Sequence, residues 1–169
     1  MILRVYRPSD RDAVIALFRA FMQELTAPGR RAEFEAYIAR AIREELGRIE
    51  QYYFGREGQG FWVAWDAGLV GMVGIERHAV DAGELRRMAV DPAHRRKGVG
   101  RALLAMAEAF CRECGYRRVV LNTTELQGAA RSLYQSSGYR LAREERDTQA
   151  SHKSVGAGYV RYYYEKQLA

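Results

Sequence analysis

Residues 84–101, ELRRMAVDPAHRRKGVGR, combine a short strand, a turn and a glycine-containing loop that leads directly into a helix. Leu85 and the run 88–90 are typical of a strand, which Asp91 and Pro92 end. Beyond the loop, apolar residues recur at helical spacing, at Val99, Leu103, Met106, Ala107 and Phe110. The order strand, loop, helix places the loop at the amino end of a helix.

The loop has the composition of an anion-binding site. Gly98 and Gly100 let the backbone approach a ligand closely because they carry no Cβ. The first amides of a helix have no intrahelical acceptor, and the helix dipole favours a negative charge beside them. Arg95, Arg96 and Lys97 add positive charge next to these amides. The segment therefore predicts a phosphate-binding loop.

Two common nucleotide motifs do not match this loop. The chain contains no GxxxxGK[ST] string, and the dinucleotide motif GxGxxG fails because Leu103 stands where its third glycine belongs. What remains is Arg95-x-x-Gly98-x-Gly100 after an apolar strand, which resembles the [Q/R]xxGx[G/A] motif of the GNAT acetyltransferase superfamily. In that family the loop holds the pyrophosphate of acetyl-CoA, so the resemblance implies acetyl-CoA as cosubstrate.

A second motif lies downstream at residues 130–139, ARSLYQSSGY, and is similar to the family pattern AxxLYxxxG[F/Y]. The resemblance implies that Tyr134 donates a proton to the departing CoA sulfur. A tyrosine at such a position can also be a core aromatic whose hydroxyl is satisfied inside the fold. Gln127 replaces an asparagine that many family members use to contact the pantetheine arm, which puts that contact in doubt.

The resemblance extends over nearly the whole chain and implies a fold. We expect one GNAT domain over residues 1–169, of the α/β class (α+β in stricter schemes). Its mixed, mostly antiparallel sheet should have about six to seven strands and about four flanking helices. The sheet should splay between the strands at 84–90 and 118–122, and the splay should open a slot for the pantetheine arm.

The resemblance also assigns residues to the cofactor. Backbone amides near Met88–Val90 would hold the pantetheine arm, and the glycine loop would hold the phosphates. Asn122 and Thr123, at the end of the splayed strand, are candidates to face the cofactor or substrate, and both are equally well explained as polar residues that end a strand. The full set assigned to acetyl-CoA is Met88, Ala89, Val90, Arg95, Arg96, Lys97, Gly98, Val99, Gly100, Arg101, Asn122 and Gln127.

Glu84 is the candidate general base, because several GNAT enzymes carry a glutamate base six residues before the position of Val90. The alternatives are Glu76, His78 and a chain of waters. Glu84 can also be read as a surface acid at the start of its strand, paired with Arg86 or another neighbour.

Composition restricts the function classes. At 169 residues, 48% hydrophobic and 28% charged, the chain has no apolar run long enough for a membrane span and no signal-peptide pattern, so we expect a soluble cytoplasmic protein. Of the net charge of +6, residues 84–101 supply +4, from six cations and two acids. The charge excess therefore indicates a phosphate ligand rather than nucleic acid.

No metal site is expected. Cys111 and Cys114 form the only CxxC pair, and the three histidines are scattered along the chain. The pair lies in the last turn of a helix, where the dipole opposes a thiolate. We therefore interpret both as ordinary cysteines.

The acceptor is predicted to be a small-molecule amine. The strings FWVAWDAGLVGMVGI and VVLNTTELQGAARSLYQSSGY most resemble the branch of cysteine-S-conjugate and amino-acid N-acetyltransferases. A protein or peptide N-acetyltransferase and a non-catalytic acyl-CoA sensor are the alternatives. The acceptor pocket should be built from residues 20–31, 52–53 and 147–158.

Two further expectations concern single elements. Apolar residues between Phe34 and Tyr53 align roughly on one face and predict a single long helix. The last strand, residues 159–164, is expected to lie at an edge of the sheet. Such an edge could support a homodimer, although nothing in the sequence requires one.

Overall fold

Seven strands form a single mixed sheet in the computed structural model, which describes residues 1–169. The strands are β1 (Ile2–Val5), β2 (Gly60–Trp65), β3 (Leu69–Ala79), β4 (Ala82–Val90), β5 (Arg118–Thr124), β6 (Arg140–Asp147) and β7 (Tyr159–Gln167). The helices are α1 (Arg11–Leu25), α2 (Arg31–Glu44), α3 (Val99–Glu113) and α4 (Gly128–Ser136). None of the helices has the length and apolar composition needed to cross a membrane.

The strands lie in the order β1-β2-β3-β4-β5-β7-β6. Every neighbouring pair is antiparallel except β4 and β5, which run parallel and are connected through α3. A parallel pair requires such a crossover, because a tight turn can only reverse the chain. The predicted mixed, mostly antiparallel sheet with four α-helices is confirmed.

The sheet splays where β4 and β5 meet. The two strands pair only from Ala82 with Arg118 to Glu84 with Val120. Beyond Glu84, β4 continues to Val90 and β5 continues to Thr124, and no pair joins them. Backbone groups along this edge of β4 are therefore available to a ligand. The splay lies between the two strands that the sequence indicates.

Helices cover both faces of the sheet. On one face, α3 packs against the sheet through fully buried residues such as Leu103 and Ala107. On the other face, α1 and α2 contribute Val14, Phe34 and Ile38, all at most 1% exposed. The sheet thus separates two apolar layers, and any cleft in the splay reaches from one helix layer to the other.

The predicted long helix over residues 34–53 is wrong in its extent. Helix α2 ends at Glu44, and a 3₁₀ turn over Leu46–Arg48 and a π-helical turn over Glu50–Phe54 follow. The break lies at Glu45, whose backbone leaves the helical region at φ −138°. Its carboxylate is drawn into the core by buried arginines of β4, which sequence periodicity does not reveal.

The last strand is not an edge strand, contrary to the expectation. β7 lies between β5 and β6 and pairs with both. Strand β6 returns antiparallel on its outer side, so the edges of the sheet are β1 and β6. The outer strand β6, RLAREERD, is mostly exposed and charged, which is typical of an edge that resists pairing with another chain.

Candidate active site

Two adjoining cavities open at the splay. The first, which we call the donor slot, has a volume of about 620 Å³ and runs between β4 and α4 towards the glycine loop. The second, the inner pocket, has a volume of about 120 Å³ and lies beneath α1 and the 147–159 segment. The residues that line both cavities are Phe21, Leu25, Met88, Ala89, Leu126, Gln127 and Tyr134. The cavities therefore meet at Met88, Ala89 and Tyr134.

The glycine loop forms one end of the donor slot. Gly98 caps α3 in the left-handed conformation, with φ +84°. The first backbone bond of the helix runs from the Ala102 amide to the Gly98 carbonyl (3.0 Å), so the preceding amides have no intrahelical acceptor. The side chains of Arg95, Arg96 and Arg101 line the same end of the slot. This arrangement of amides and guanidinium groups suits a phosphate.

Gly98→Ala tests the backbone of the loop. An alanine at this φ costs about 1–2 kcal/mol, and relief of the strain would move the amides of the loop. We expect a lower melting temperature and a higher KM for acetyl-CoA. Gly115→Ala is the matched control, since Gly115 has φ +77°, lies outside the slot and, like Gly98, has no atom within 4 Å of an added Cβ. A control variant that raised this KM equally would contradict a binding role for the loop.

The residues predicted to bind phosphate differ in their contacts and in their exposure. Arg95 donates to both carboxylate oxygens of Glu24 at 2.6 Å and to the Val90 carbonyl at 3.1 Å, which ties α1 to the loop. Lys97 is exposed and does not line the slot. The side chain of Val99 is buried in the core, so only its backbone faces the loop.

A β-bulge shapes the wall that the two cavities share. The pairing of β3 with β4 shifts between Met72 and Gly74, and Arg87 has φ +54°. Positive φ is costly for a side chain of this size and concentrates at functional sites. Leu85 packs in the α3 layer but Ala89 in the α1 layer, although an even spacing would keep both on one face. The bulge thus turns the strand just before Met88 and Ala89.

A buried charge cluster holds the bulge in place. Glu45 is fully buried and accepts hydrogen bonds from Arg87 (2.9 and 2.6 Å), Arg86 (3.3 Å) and Tyr53 (2.5 Å). Burial acts to raise the pKa of Glu45, but the charges of Arg87 and Arg86 outweigh it and lower the pKa to about 2. Arg87 also donates to the Tyr37 hydroxyl at 2.7 Å. The cluster fixes the strand geometry from the α2 side.

Tyr134 projects from α4 into the junction of the two cavities. It is 5% exposed, and its hydroxyl donates to the thioether sulfur of Met88 at 3.8 Å. Burial raises the pKa of Tyr134, so the hydroxyl keeps its proton at neutral pH. A protonated hydroxyl directed at a sulfur atom has the chemistry expected of a donor to a thiolate.

Glu84 lies at the base of the splay, in the last residue pair that joins β4 to β5. It is buried rather than a surface acid, and it pairs with Lys153 rather than with Arg86. Asn122 donates to one carboxylate oxygen at 3.1 Å, and the Lys153 ammonium lies 3.4 Å from the other. Both partners line the inner pocket but Glu84 itself does not, so Glu84 lies behind these two residues at the pocket wall.

The two alternative bases differ in position. Glu76 lies directly opposite Glu84 on β3 and contacts Arg86 at 2.8 Å and Lys153 at 3.1 Å. None of the three residues lines either cavity, but Glu76 and Glu84 both contact the lining residue Lys153, whereas His78 is exposed on β3. Glu76 and Glu84 thus form one carboxylate pair beside the inner pocket, and His78 is separate from it.

The two polar residues predicted to contact the cofactor differ in the cavities that they line. Gln127 lines both, and its side-chain oxygen accepts a hydrogen bond from Thr123 at 2.6 Å. Asn122 lines only the inner pocket, where its oxygen accepts from Arg161 at 2.8 Å. Asn122 therefore lies at the inner pocket and not at the donor slot, where the sequence predicted its contact with the cofactor.

Several charged residues of the inner pocket were missed by sequence reasoning. They include Arg86, Arg87, Lys153 and Arg161. Arg86 and Arg87 could have been found from the sequence, because two adjacent arginines inside a central strand require buried partners. Lys153 lies on the 147–158 loop, which the sequence indicated only as part of an acceptor pocket, and Arg161 lies on β7.

Comparisons with known proteins agree with this geometry. The family model described as acetyltransferase (GNAT) family matches residues 16–139. The N-acetylaspartate synthetase of Rattus norvegicus is 41% identical over 107 residues, which cover 62% of this chain and 36% of that protein. N-acetyltransferase 8 of Homo sapiens is 35% identical over 112 residues, covering 62% and 48%. The chain thus matches less than half of the length of these two relatives.

Solved structures share the fold over almost the full length. A GNAT-family acetyltransferase from Staphylococcus aureus Mu50 superposes with a TM-score of 0.77, at 23% identity and 99% coverage of both chains. The PaiA N-acetyltransferase from Thermoplasma acidophilum, solved in complex with coenzyme A, gives a TM-score of 0.75 at 19% identity, covering 99% of this chain and 98% of that one. The family predicted from the two sequence motifs is confirmed, and the chain belongs to the GNAT family of acetyltransferases.

Proposed function

We propose that the protein transfers the acetyl group of acetyl-CoA to the primary amine of a small molecule, such as an amino acid or an amino-acid conjugate. One observation carries the proposal: the donor slot and the inner pocket meet at Met88, Ala89 and Tyr134. A thioester at the end of the slot and an amine in the pocket would then lie within reach of each other. Holding two reactants together in this way supplies much of the rate of a bimolecular reaction.

The donor slot suits acetyl-CoA along its whole length. The amides and arginines of the glycine loop would bind the pyrophosphate. The unpaired edge of β4 beyond Glu84 would bind the pantetheine arm in the manner of an added strand. One of the amides near Met88–Val90 would polarise the thioester carbonyl. Gln127, held by Thr123, would present its amide group to the arm.

Candidates for both proton transfers lie in the inner pocket or directly behind its wall. Glu84 would remove the proton of the acceptor amine, directly or through a water. Tyr134 would protonate the sulfur as the carbon–sulfur bond breaks. An α-amine with a pKa of about 7.7–8.0 is partly neutral at pH 7, whereas a lysine-like amine near ~10.4 is mostly charged. Direct attack therefore favours an α-amine over a side-chain amine.

The charges and volume of the inner pocket support an amino-acid acceptor. Glu76 and Glu84, which contact the lining residue Lys153, suit an ammonium group, whereas Arg86 and Arg161 in the lining suit a carboxylate. A cavity of about 120 Å³ favours a small acceptor. A relative named N-acetylaspartate synthetase is in agreement with an acceptor of this class.

Release of CoA thiol with a panel of amines tests the proposal. The panel contains amino acids, cysteine S-conjugates, polyamines, aminoglycosides and peptides. We expect turnover with an amino acid or its conjugate and a product that carries one acetyl group on nitrogen. Turnover with peptides alone would instead assign a protein N-acetyltransferase. Tight binding of acetyl-CoA without turnover on any amine would assign a sensor and contradict the proposal.

A further inference from the structure

The ε-amine of Lys153 occupies the position that the proposed reaction gives to the acceptor amine. Its nitrogen lies 3.4 Å from a carboxylate oxygen of Glu84 and 3.1 Å from one of Glu76, the two candidate bases beside the inner pocket. The same side chain lines this pocket together with Met88 and Tyr134. A primary amine of the chain itself thus shares a cavity with the groups assigned to acetyl transfer.

The carboxylate pair forms a site for a cation. Glu76 and Glu84 lie directly opposite each other on neighbouring strands, and their side chains are 13% and 11% exposed. Like charges in such a cross-strand pair repel each other. Of these two carboxylates Arg86 contacts only that of Glu76 (2.8 Å), so Lys153 is the cation that bridges both. This site would bind an acceptor ammonium as it binds the ammonium of Lys153.

The loop that carries Lys153 is attached to the wall of the pocket. The carbonyl of His152 accepts a hydrogen bond from Arg87 at 2.6 Å, and the carbonyl of Lys153 accepts one from Arg161 at 3.4 Å. The Lys153 amide donates to the Ser151 hydroxyl oxygen at 3.0 Å. These contacts direct the side chain inward, although it keeps 35% of its surface exposed and can therefore change its position.

The lysine content of the chain makes this placement informative. Lysine and arginine together number 27, and only Lys97, Lys153 and Lys166 are lysines. Lys97 is exposed beside the glycine loop, and Lys166 pairs with Glu108 at 2.9 Å. Neither of these two lines the donor slot or the inner pocket. They are therefore internal controls for any reaction at Lys153.

We propose that Lys153 is a self-acetylation site, modified by the active site of its own chain. This inference rests on the proposed function, because the donor is the acetyl thioester of acetyl-CoA. The ammonium gives one proton to Glu84, and the amine nitrogen forms a bond to the acyl carbon. The carbon–sulfur bond breaks with its electron pair on sulfur. Tyr134 protonates the sulfur and recovers the second amine proton, so the products are an amide, CoA thiol and a protonated Glu84 that releases its proton to water.

The modification would change the charge of the pocket. The amide is neutral and cannot form an ion pair with either Glu76 or Glu84.

Because lysine amines are mostly charged near neutral pH, the acetylation of Lys153 should be slow and its rate should rise with pH. The fraction modified per unit time should also be independent of protein concentration at saturating acetyl-CoA, since the active site and the modified lysine belong to one chain.

The test is peptide mass spectrometry of the purified protein after incubation with acetyl-CoA and no other amine. We expect one acetyl group on Lys153 and much less on Lys97 and Lys166. Glu84→Gln and Tyr134→Phe should each slow the modification by about 100-fold or more. Lys153→Arg keeps the positive charge and should show no acetylation at residue 153, and the wild-type measurement stands even if this variant does not fold.

The outcomes separate this inference from the proposed function. Turnover of an external amine with Lys153 unmodified would overturn the inference alone. Modification of Lys153 and Lys97 to the same extent, unchanged in Tyr134→Phe, would indicate chemical acetylation and would also overturn it. A first-order rate constant, the fraction modified per unit time, that rose with protein concentration would indicate transfer between chains and would contradict it. Modification of Lys153 without turnover of any external amine would support the inference. It would also show that the small-molecule acceptor of the proposed function is wrong.

Discussion

Replacement of Tyr134 by phenylalanine is expected to lower kcat by about 100- to 10,000-fold, the usual contribution of a positioned general acid. The KM for acetyl-CoA should change little, because the ring that lines both cavities is retained. Stability should also change little, since the only hydrogen bond lost is the one to the Met88 sulfur at 3.8 Å. Steady-state kinetics of CoA release measure both constants.

Tyr139→Phe is the matched control for this prediction. Tyr139 is buried, its ring centroid is 5.9 Å from that of Tyr134, and it lines neither cavity. Its variant should keep the wild-type kcat. If Tyr134→Phe also kept the wild-type kcat, the hydroxyl would be a packed core group and the assigned proton donor would be wrong.

Glu45→Gln is expected to destabilise the fold by about 3–5 kcal/mol, because it leaves a buried positive charge without its partner. The substitution keeps the size of the side chain, so the loss comes from the charge and its hydrogen bonds. Arg86 and Arg87 both depend on this carboxylate, and Arg87 forms the bulge of β4. Denaturant unfolding measures the free energy, and activity should fall together with it.

A control variant and the pH dependence of the free energy of unfolding test this prediction. Glu35→Gln removes a carboxylate that is 42% exposed and lies 3.7 Å from Arg19, and such a surface pair contributes about 0–1 kcal/mol. The contribution of Glu45 to the free energy of unfolding depends on pH, and the direction of this dependence follows from its pKa. Because the folded pKa of Glu45 is lowered from 4.5 to about 2, its stabilisation is complete above pH 4.5 and is lost as the pH falls towards 2. A difference between wild type and Glu45→Gln that stayed constant from pH 6 to the acid limit would contradict this role.

The donor half of the site could be predicted because its signals are local in sequence. A strand, a turn, Gly98 and Gly100, and three adjacent cations lie within one short segment, and the helix that follows fixes the direction of the amides. The candidacy of Tyr134 came from the resemblance of the short motif at residues 130–139 to a family pattern, which is also local in sequence. The splay followed from the family resemblance, since it depends on how two distant strands diverge.

The acceptor half could not be predicted to the same depth because its contacts are distant in sequence. Glu45 meets Arg87 across 42 positions, and Lys153 meets Glu84 across 69. The break in the helix at Glu45 is a consequence of the first pair, so helical periodicity alone extended that helix too far. The place of β7 inside the sheet likewise depends on β6 pairing with its outer side.

The central claim is that acetyl-CoA in the donor slot and the acceptor amine in the inner pocket are held at the same time and react directly. Initial rates of CoA release, measured over a matrix of acetyl-CoA and amine concentrations, test this most directly. We predict double-reciprocal lines that intersect, as required when both substrates must be bound before transfer. Parallel lines would indicate a ping-pong reaction through a covalent acetyl-enzyme and would contradict the account.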